Sequence, residues 1–325
     1  MPEFISLKLQ PISPFHLGER GIGLEEISDI LHSDTLFGAL AWAWEMLHGK
    51  DELDALLQLF INNNPPFIIS SGYPFAENVY FFPTPLSPHY RETNKKLRKT
   101  RFVSQRIFER IINEELIEDS PGLYKGNAYI DASEAHSLES LKSVLWAKKE
   151  PPQVALDRET SSSEIYHVGE VAFSKDCGLY FLVDLRDETF GNKLEAAVRL
   201  LGDEGIGGER SSGRGRFTLQ RGSLRIRTPE SKTSVTLSLY HPRKDEVAAG
   251  LMGRSYYTLT ARRGWIFSFA TRSLRKKTIR MMEEGSVIPA GDLRGSLVDV
   301  TPKEMKAHRV YANGLAFQVP MRVST

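Results

Sequence analysis

Thirteen residues, Gly205-Ile206-Gly207-Gly208-Glu209-Arg210-Ser211-Ser212-Gly213-Arg214-Gly215-Arg216-Phe217, constrain this chain more than any other stretch. Five are glycine, three arginine and two serine. Glycine admits φ > 0 and the close approach of a second backbone. Serines and bare amides donate hydrogen bonds, and arginine carries fixed charge on a planar fork. The combination suits an anionic, phosphate-bearing partner. A flexible surface loop is the plainer reading, but such loops rarely interleave arginine at this density. Gly208 and Gly213 have P-loop spacing, yet Arg214-Gly215 stands where a P-loop has Lys and then Ser or Thr. A dinucleotide-binding turn follows a strand and opens a helix. Here the order is reversed. Leu194, Ala197, Val198 and Leu201 keep helical spacing before the loop, and Gly202 is the expected residue just past that helix. Phe217, Thr218 and Leu219 begin a strand.

The 325 residues are enough for two domains or one large one. A hydrophobic share of 41% supports a buried core, and a charged share of 26% is ordinary. The single cysteine, Cys177, rules out an internal disulfide and a multi-cysteine zinc site; it fits a reducing, cytoplasmic setting. Met1-Pro2-Glu3-Phe4 is not a secretory leader, and no apolar run nears the ~20 residues of a membrane span. The net charge of +1 conceals segregation. Residues 91–110 hold eight basic and two acidic side chains, 205–227 six arginines and one glutamate, and 253–280 eight basic side chains and no acid. Acids gather at Glu25, Glu26 and Asp29, and at Glu114, Glu115, Glu118 and Asp119. One basic run reads as solvated surface. Three together favour a face for a polyanion.

Ile5, Leu7 and Leu9 alternate with polar residues, a half-buried strand that Pro11 and Pro14 end. A loop from His16 to Gly23 follows. Ser33 or Asp34 can cap a helix whose Leu36, Leu40, Ala43 and Leu47 share a face. Trp42 and Trp44 on it suit core or interface better than base stacking. Residues 62–88, rich in proline and aromatics, read as an insertion without regular structure. A basic entry, Lys95 to Arg101, leads into an amphipathic helix marked by Val103, Ile107, Phe108, Ile111 and Ile112, able to dock on a partner or line a nucleic-acid groove. Residues 151–173 form a hairpin with a serine-rich tip, and Leu179, Phe181, Val183 and Leu185 a second clear strand. This order fits a split βαβ, ferredoxin-like unit over 1–230. Strands expected at 235–239, 256–260, 265–269 and 310–319 mark a smaller α+β domain over 231–325.

The sequence offers no catalytic constellation. No two of its eight histidines are four residues apart, no acid cluster has metal-ligand spacing, and no nucleophile elbow occurs. No catalytic residue, metal or cofactor is assigned. His16 and His32 flank the first loop and could meet in space. A metal-free ribonuclease needs only an acid and a base beside a 2′-hydroxyl.

These stretches resemble the RAMP superfamily of CRISPR-associated proteins, whose signature is a glycine-rich loop after a helix. Four further features resemble, within it, the family of type III-A (Csm complex) subunits that cap the complex at the crRNA 5′ end. They are His32-Ser33-Asp34-Thr35-Leu36-Phe37-Gly38-Ala39-Leu40, the lysine-rich stretch 95–101, Val154-Ala155-Leu156-Asp157-Arg158 with Thr160 before a Tyr-containing hairpin, and Gly264-Trp265-Ile266 with Glu284-Gly285-Ser286-Val287. Their order and spacing across nearly the whole chain carry the resemblance. It implies an α+β chain of two ferredoxin-like (RRM-like) domains with inserted segments and a β-hairpin thumb. It implies a non-catalytic role in RNA-guided antiviral defence, in which the subunit holds the 5′ handle of the crRNA and bridges the large polymerase-type subunit to the backbone RAMP subunits. The thumb at 157–173 would wedge into the guide–target RNA duplex, with Asp157 and Arg158 at its base. The backbone subunit that cleaves target RNA has an aspartate in the loop after its first strand and a Pro-Gly-Ser-Ser-Leu-Lys-Gly-like helix start. This chain departs from that pattern, and helix capping accounts for Asp34. Target cleavage is therefore not expected.

The implied RNA contacts are Gly205, Gly207, Gly208, Arg210, Ser211, Ser212, Gly213 and Arg214 of the glycine-rich loop, with His16, Gly18 and Arg20 beside it. Lys99, Arg101, Arg158, Thr160, Arg254, Arg262 and Arg263 complete the set. Phosphates would meet arginines and amides, and bases would be stacked or read at their edges. Two other readings stay open. One is a RAMP endoribonuclease that processes precursor crRNA through His16, although more than a hundred residues follow the loop. The other is a protein-only bridging module.

Overall fold

A computed structural model describes every residue except 19–26, 88–96, 98, 118–122, 126–127, 139–143, 157–162, 272–273 and 324–325. The alternation of Ile5, Leu7 and Leu9 makes strand β1 (Glu3–Pro11), which lies inside the main sheet. It pairs antiparallel with β12 (Cys177–Leu185), setting Leu7 opposite Phe181. On its other edge it pairs antiparallel with β13 (Phe217–Arg225), from Glu3 opposite Arg225 to Pro11 opposite Phe217. The sheet continues beyond β12 through β3 (Tyr73–Ala76), β4 (Val79–Pro83), β5 (Phe102–Ser104), β7 (Ala128–Ile130) and β6 (Leu123–Lys125), while β2 (Phe67–Ile69) also joins β12. The β5–β7 pairing is parallel, so the sheet is mixed and the molecule is a mixed α/β fold.

The irregular insertion expected at 62–88 is therefore corrected: three strands lie within it. Every residue from 65 to 76 is buried. A strand covered on both faces shows no polar–apolar alternation, so the periodicity is silent. Val103 likewise belongs to β5 rather than to the helix that follows.

The described helices include α1 (Ser33–His48), α2 (Lys50–Ile61), α3 (Gln105–Ile112) and α4 (Gly191–Glu204). α1 packs on α4, burying Leu36, Phe37, Leu40, Ala43 and Trp44 from one and Leu194, Ala197, Val198 and Leu201 from the other. Two terminus assignments change. The residue before α1 is His32, and no side chain caps the helix there. α4 runs through Gly202 and stops at Gly205, whose N–H reaches Leu201 O at 2.8 Å.

The hairpin expected at 151–173 forms in two sections. β9 (Pro152–Leu156) pairs with β10 (Ser163–His167), and β8 (Trp146–Lys149) with β11 (Glu170–Phe173). Its serine-rich tip lies outside the described residues. Beyond residue 230, β14 (Thr233–Thr236) sits between β17 (Val287–Pro289) and β20 (Gln318–Pro320). Two smaller pairs are β15 (Leu259–Arg262) with β16 (Ile279–Met282), and β18 (Leu297–Asp299) with β19 (Tyr311–Asn313). The long strand expected at 310–319 is thus two short ones, and 265–269 is a hairpin arm rather than a strand. Val235, Leu237, Phe317 and Val319 share one core with β1 and α1, while two small clusters around Tyr240 and Leu239 serve the C-terminal portion. Among the described residues no helix is long and apolar enough to cross a membrane.

Candidate nucleic-acid interface

The glycine–arginine loop leaves α4 and folds against the loop that follows β1. Gly208 N–H donates to His16 O at 2.9 Å, Gly215 N–H to Pro14 O at 2.9 Å, and Arg216 N–H to Ser13 Oγ at 3.0 Å. Inside the loop, Ile206 N–H reaches Gly215 O at 3.0 Å, Ser212 N–H reaches Glu209 O at 3.1 Å and Gly213 N–H reaches Arg210 O at 2.9 Å. Two glycines are dictated by crowding. A Cβ on Gly215 would lie 2.1 Å from Ile206 O and one on Gly207 2.4 Å from His16 O, and both residues hold φ values no branched side chain tolerates, +79° and +94°. The N–H groups of Ile206, Gly208, Ser212, Gly213, Gly215 and Arg216 are thus committed within the protein. Ser211, Ser212, Gly213 and Arg216 form the exposed rim, while Gly205 is buried and Gly207 and Gly208 are half-buried.

Three of the arginines expected on RNA hold carboxylates from distant segments. Arg262 is 4% exposed. Its Nε and Nη2 donate to the two Asp34 oxygens at 3.0 and 2.9 Å, and Nη2 also reaches Thr35 Oγ1 at 3.1 Å. Arg101 pairs with buried Asp29. Arg214 Nε meets Glu170 Oε2 on β11 at 3.2 Å, both side chains being largely covered. A carboxylate taken out of water needs such a partner, and sequence separation hid all three pairings. Arg254 is exposed, and its guanidinium donates to Ala249 O and Gly250 O. Lys99 and Gly18 are exposed and Arg263 is half-buried. Arg20, Arg158 and Thr160, with Asp157, lie outside the described residues.

His16 is 6% exposed, and its Nδ1 lies 2.7 Å from Gly169 O. The two histidines flanking the first loop take different partners, for His32 Nδ1 sits 2.8 Å from Glu284 Oε1. Ser71 Oγ donates to the same oxygen, and Ser33 N–H donates to Ser71 Oγ at 2.9 Å. Burial works against ionisation of Glu284, but His32 and Ser71 hold its carboxyl below the usual range. Burial opposes the charge on Asp34 too; the charge and hydrogen bonds of Arg262 overcome it, aided by Lys276 and His32, and hold its pKa down at about 2. Asp34 is thus an ion-pair partner rather than the helix cap expected. This polar seam joins residues 32–35 and 71 to 262, 276 and 284.

An aromatic group beside the loop was not foreseen. Arg210 stacks over Phe267 with its guanidinium carbon 3.9 Å from the ring centre, and over Trp42 at 5.2 Å. Phe267 and Phe269 are 41% and 63% exposed. The signal was present as aromatic residues at 265, 267 and 269, alternate positions of one hairpin arm.

Comparison with known proteins follows this architecture. The RAMP superfamily matches residues 8–218, and the CRISPR Csm4 C-terminal domain matches residues 229–321. The CRISPR system Cms protein Csm4 of Thermococcus onnurineus (strain NA1) is 30% identical over 337 residues, covering 98% of this chain and 96% of that one. The protein of the same name from Methanocaldococcus jannaschii is 26% identical over 376 residues, covering 98% and 97%. Among solved structures, a Csm3–Csm4 subcomplex of a type III-A CRISPR-Cas interference complex aligns over 99% of this chain and 100% of that one, at 21% identity and a TM-score of 0.70. A Csm1–Csm4 cassette in complex with cA4 aligns over the whole of both chains, at 24% identity and a TM-score of 0.65. With family matches over both portions and relatives aligned along nearly their entire length, this chain belongs to the Csm4 family of the RAMP superfamily.

Proposed function

We propose that this chain is a non-catalytic RNA-holding and scaffolding subunit of a type III-A CRISPR effector complex. It binds the 5′ handle of the crRNA and links a large polymerase-type subunit to the backbone RAMP subunits. Family membership supports the setting, and the solved relatives stand in complexes with Csm1 and with Csm3. The observation that carries the RNA-holding part is the stitched corner, where two loops are locked together by Gly208 to His16 and Gly215 to Pro14. A rim of Ser211, Ser212 and Arg216 stands on that rigid base, with Arg210 adjoining it. Phosphates are well bound by hydroxyls and guanidinium groups held on such a frame.

The strand order β13–β1–β12–β3, antiparallel throughout with α1 and α4 as the connecting helices, supports reading 1–230 as ferredoxin-like. We read 231–325 as a helix-poor second unit of that kind, and the 151–173 hairpin as the thumb. His16 buried on Gly169 O, and Asp34 closed by Arg262, give an endoribonuclease no accessible acid or base at these positions.

The test is binding of repeat-derived RNA to the full chain across a salt series. Arg216→Ala, at the exposed arginine of the corner, should weaken binding and reduce the salt slope by about one, for the one lost phosphate contact. An unchanged slope removes the corner from the RNA path. Discrete cleavage of repeat RNA without metal overturns the non-catalytic reading.

A further inference from the structure

The hairpin begun by β15 and β16 extends past its ladder. Lys276 N–H donates to Gly264 O at 2.9 Å, Ile266 N–H to Leu274 O at 2.8 Å and Ser268 N–H to Thr271 O at 3.1 Å, while Trp265 bridges Arg275. Along one arm Ile266 is buried, whereas Trp265, Phe267 and Phe269 are 51%, 41% and 63% exposed. From α1, Trp42 meets Phe267 edge-on at 5.8 Å and lies nearly parallel to Phe269, at 21° with ring centres 6.3 Å apart. Arg210 covers Phe267 and Trp42 from the glycine-rich loop, and Arg275 covers Trp265 at 4.5 Å. Three segments far apart in sequence thus converge on one exposed aromatic surface. Exposed rings grouped in this way mark a binding surface.

Charge decides the occupant. No acid lies between residues 253 and 280; Arg262 is closed on Asp34, while Arg275, Lys277 and Arg280 are exposed and supply the charge. An apolar protein segment would cover the rings and make no use of this charge. A single-stranded polyanion with flat π faces uses both, since bases stack on aromatic and guanidinium planes while phosphates follow the basic track. We infer that Trp42, Phe267, Phe269 and Arg210 form a stacking platform for an unpaired nucleobase of single-stranded RNA. The inference rests on the RNA-holding reading and deepens it, adding a base-contacting site to a phosphate-contacting corner. Arg210 belongs to both.

The experiment uses the full chain and an RNA oligonucleotide of repeat sequence carrying one 2-aminopurine, single-stranded or annealed into a blunt duplex. The wild-type chain should bind the single strand and quench the probe at one position. Phe269→Ala, a change at an exposed side chain, should weaken single-strand binding about tenfold and abolish the quench. The salt slope should not change, because no phosphate contact is lost. Phe269→Trp should restore both signals, and duplex affinity should not respond. If the wild-type chain binds while Phe269→Ala matches it in affinity and quench, the platform is overturned and the RNA-holding reading stands. A Phe269→Ala chain that keeps its RNA affinity but no longer co-purifies with the large subunit also overturns the platform, making the surface a protein interface. A wild-type chain without affinity for either RNA removes both readings together.

Discussion

Arg262 closes on Asp34 as a fork, Nε to Oδ2 at 3.0 Å and Nη2 to Oδ1 at 2.9 Å, across 228 residues of sequence. Asp34 lies in the first turn of α1 and Arg262 ends β15, so the pair fastens the N-terminal helix to the C-terminal hairpin. Both side chains are nearly out of water. In such a site the cost of removing one partner exceeds the value of the pair itself.

Arg262→Ala should therefore destabilise the chain by about 3–5 kcal/mol, because it strands a buried carboxylate. Replacing both partners, Asp34→Leu with Arg262→Met, should cost far less. Urea unfolding of the two variants checks this. Equal losses would show that the fork itself carries the stability. The salt slope of RNA binding should match wild type in the double variant, since this guanidinium is not on a phosphate.

The same pair fixes an acid limit. The folded pKa of Asp34 is about 2, below the ordinary 3.8. A depressed carboxyl pKa contributes stability that is complete above the unfolded value and is lost as pH falls through the folded one. Stability should therefore hold down to about pH 4 and fall between there and pH 2, by about 2 kcal/mol for this group. Glu284, held low by His32 and Ser71, adds a loss of the same sign. Melting temperatures at pH 5, 4 and 3 test the point: the double variant should fall less steeply than wild type, and parallel curves would refute the assignment.

These pairings mark where sequence reasoning stopped. The strand around Leu7 was legible because its apolar residues recur with a period of two, and β12 because Leu179 to Val183 is a continuous apolar run of strand length, although both its faces are buried. The helix before the loop was legible from Leu194, Ala197, Val198 and Leu201 for the equivalent reason. Strands 67–69 and 73–76 were not, because burial on both faces erases alternation. Arginines were legible as charge but not as partners. Arg101, Arg214 and Arg262 look alike in sequence to Lys99 and Arg216, and only the fold brings Asp29, Glu170 and Asp34 to them. The glycines were read as a phosphate cradle, although their spacing equally satisfies two backbones in contact, which is how Gly207 and Gly215 are used.

Arg214 joins the loop to the hairpin arm through Glu170, beside the reciprocal Phe15–Val171 backbone bonds of 3.0 and 2.8 Å. Arg214→Ala should cost about 1–2 kcal/mol, the range for a partly covered, charge-assisted hydrogen bond. Amide exchange across 163–173 should accelerate. The salt slope of RNA binding should stay at its wild-type value, because this side chain is held by a carboxylate. A slope lower by about one would place Arg214 on a phosphate after all.

Gly215 and Gly213 differ in a way that separates backbone strain from crowding. Both have positive φ, +79° and +78°. A Cβ on Gly213 meets nothing within 4 Å, whereas one on Gly215 would collide with Ile206 O at 2.1 Å. Gly213→Ala should therefore show only the left-handed penalty, about 1–2 kcal/mol. Gly215→Ala carries the same penalty plus the displacement of Ile206, whose N–H bonds Gly215 O and whose side chain is buried in the main core. Its cost should exceed that of Gly213→Ala by about 2 kcal/mol or more, in the range of a disrupted core position. Thermal unfolding of the two variants measures the difference. RNA binding should divide the same way: Gly213→Ala leaves the rim in place, and Gly215→Ala loosens the corner from Pro14 and lowers affinity. Equal stability of the two variants would mean that the loop is not locked against the strand-exit backbone.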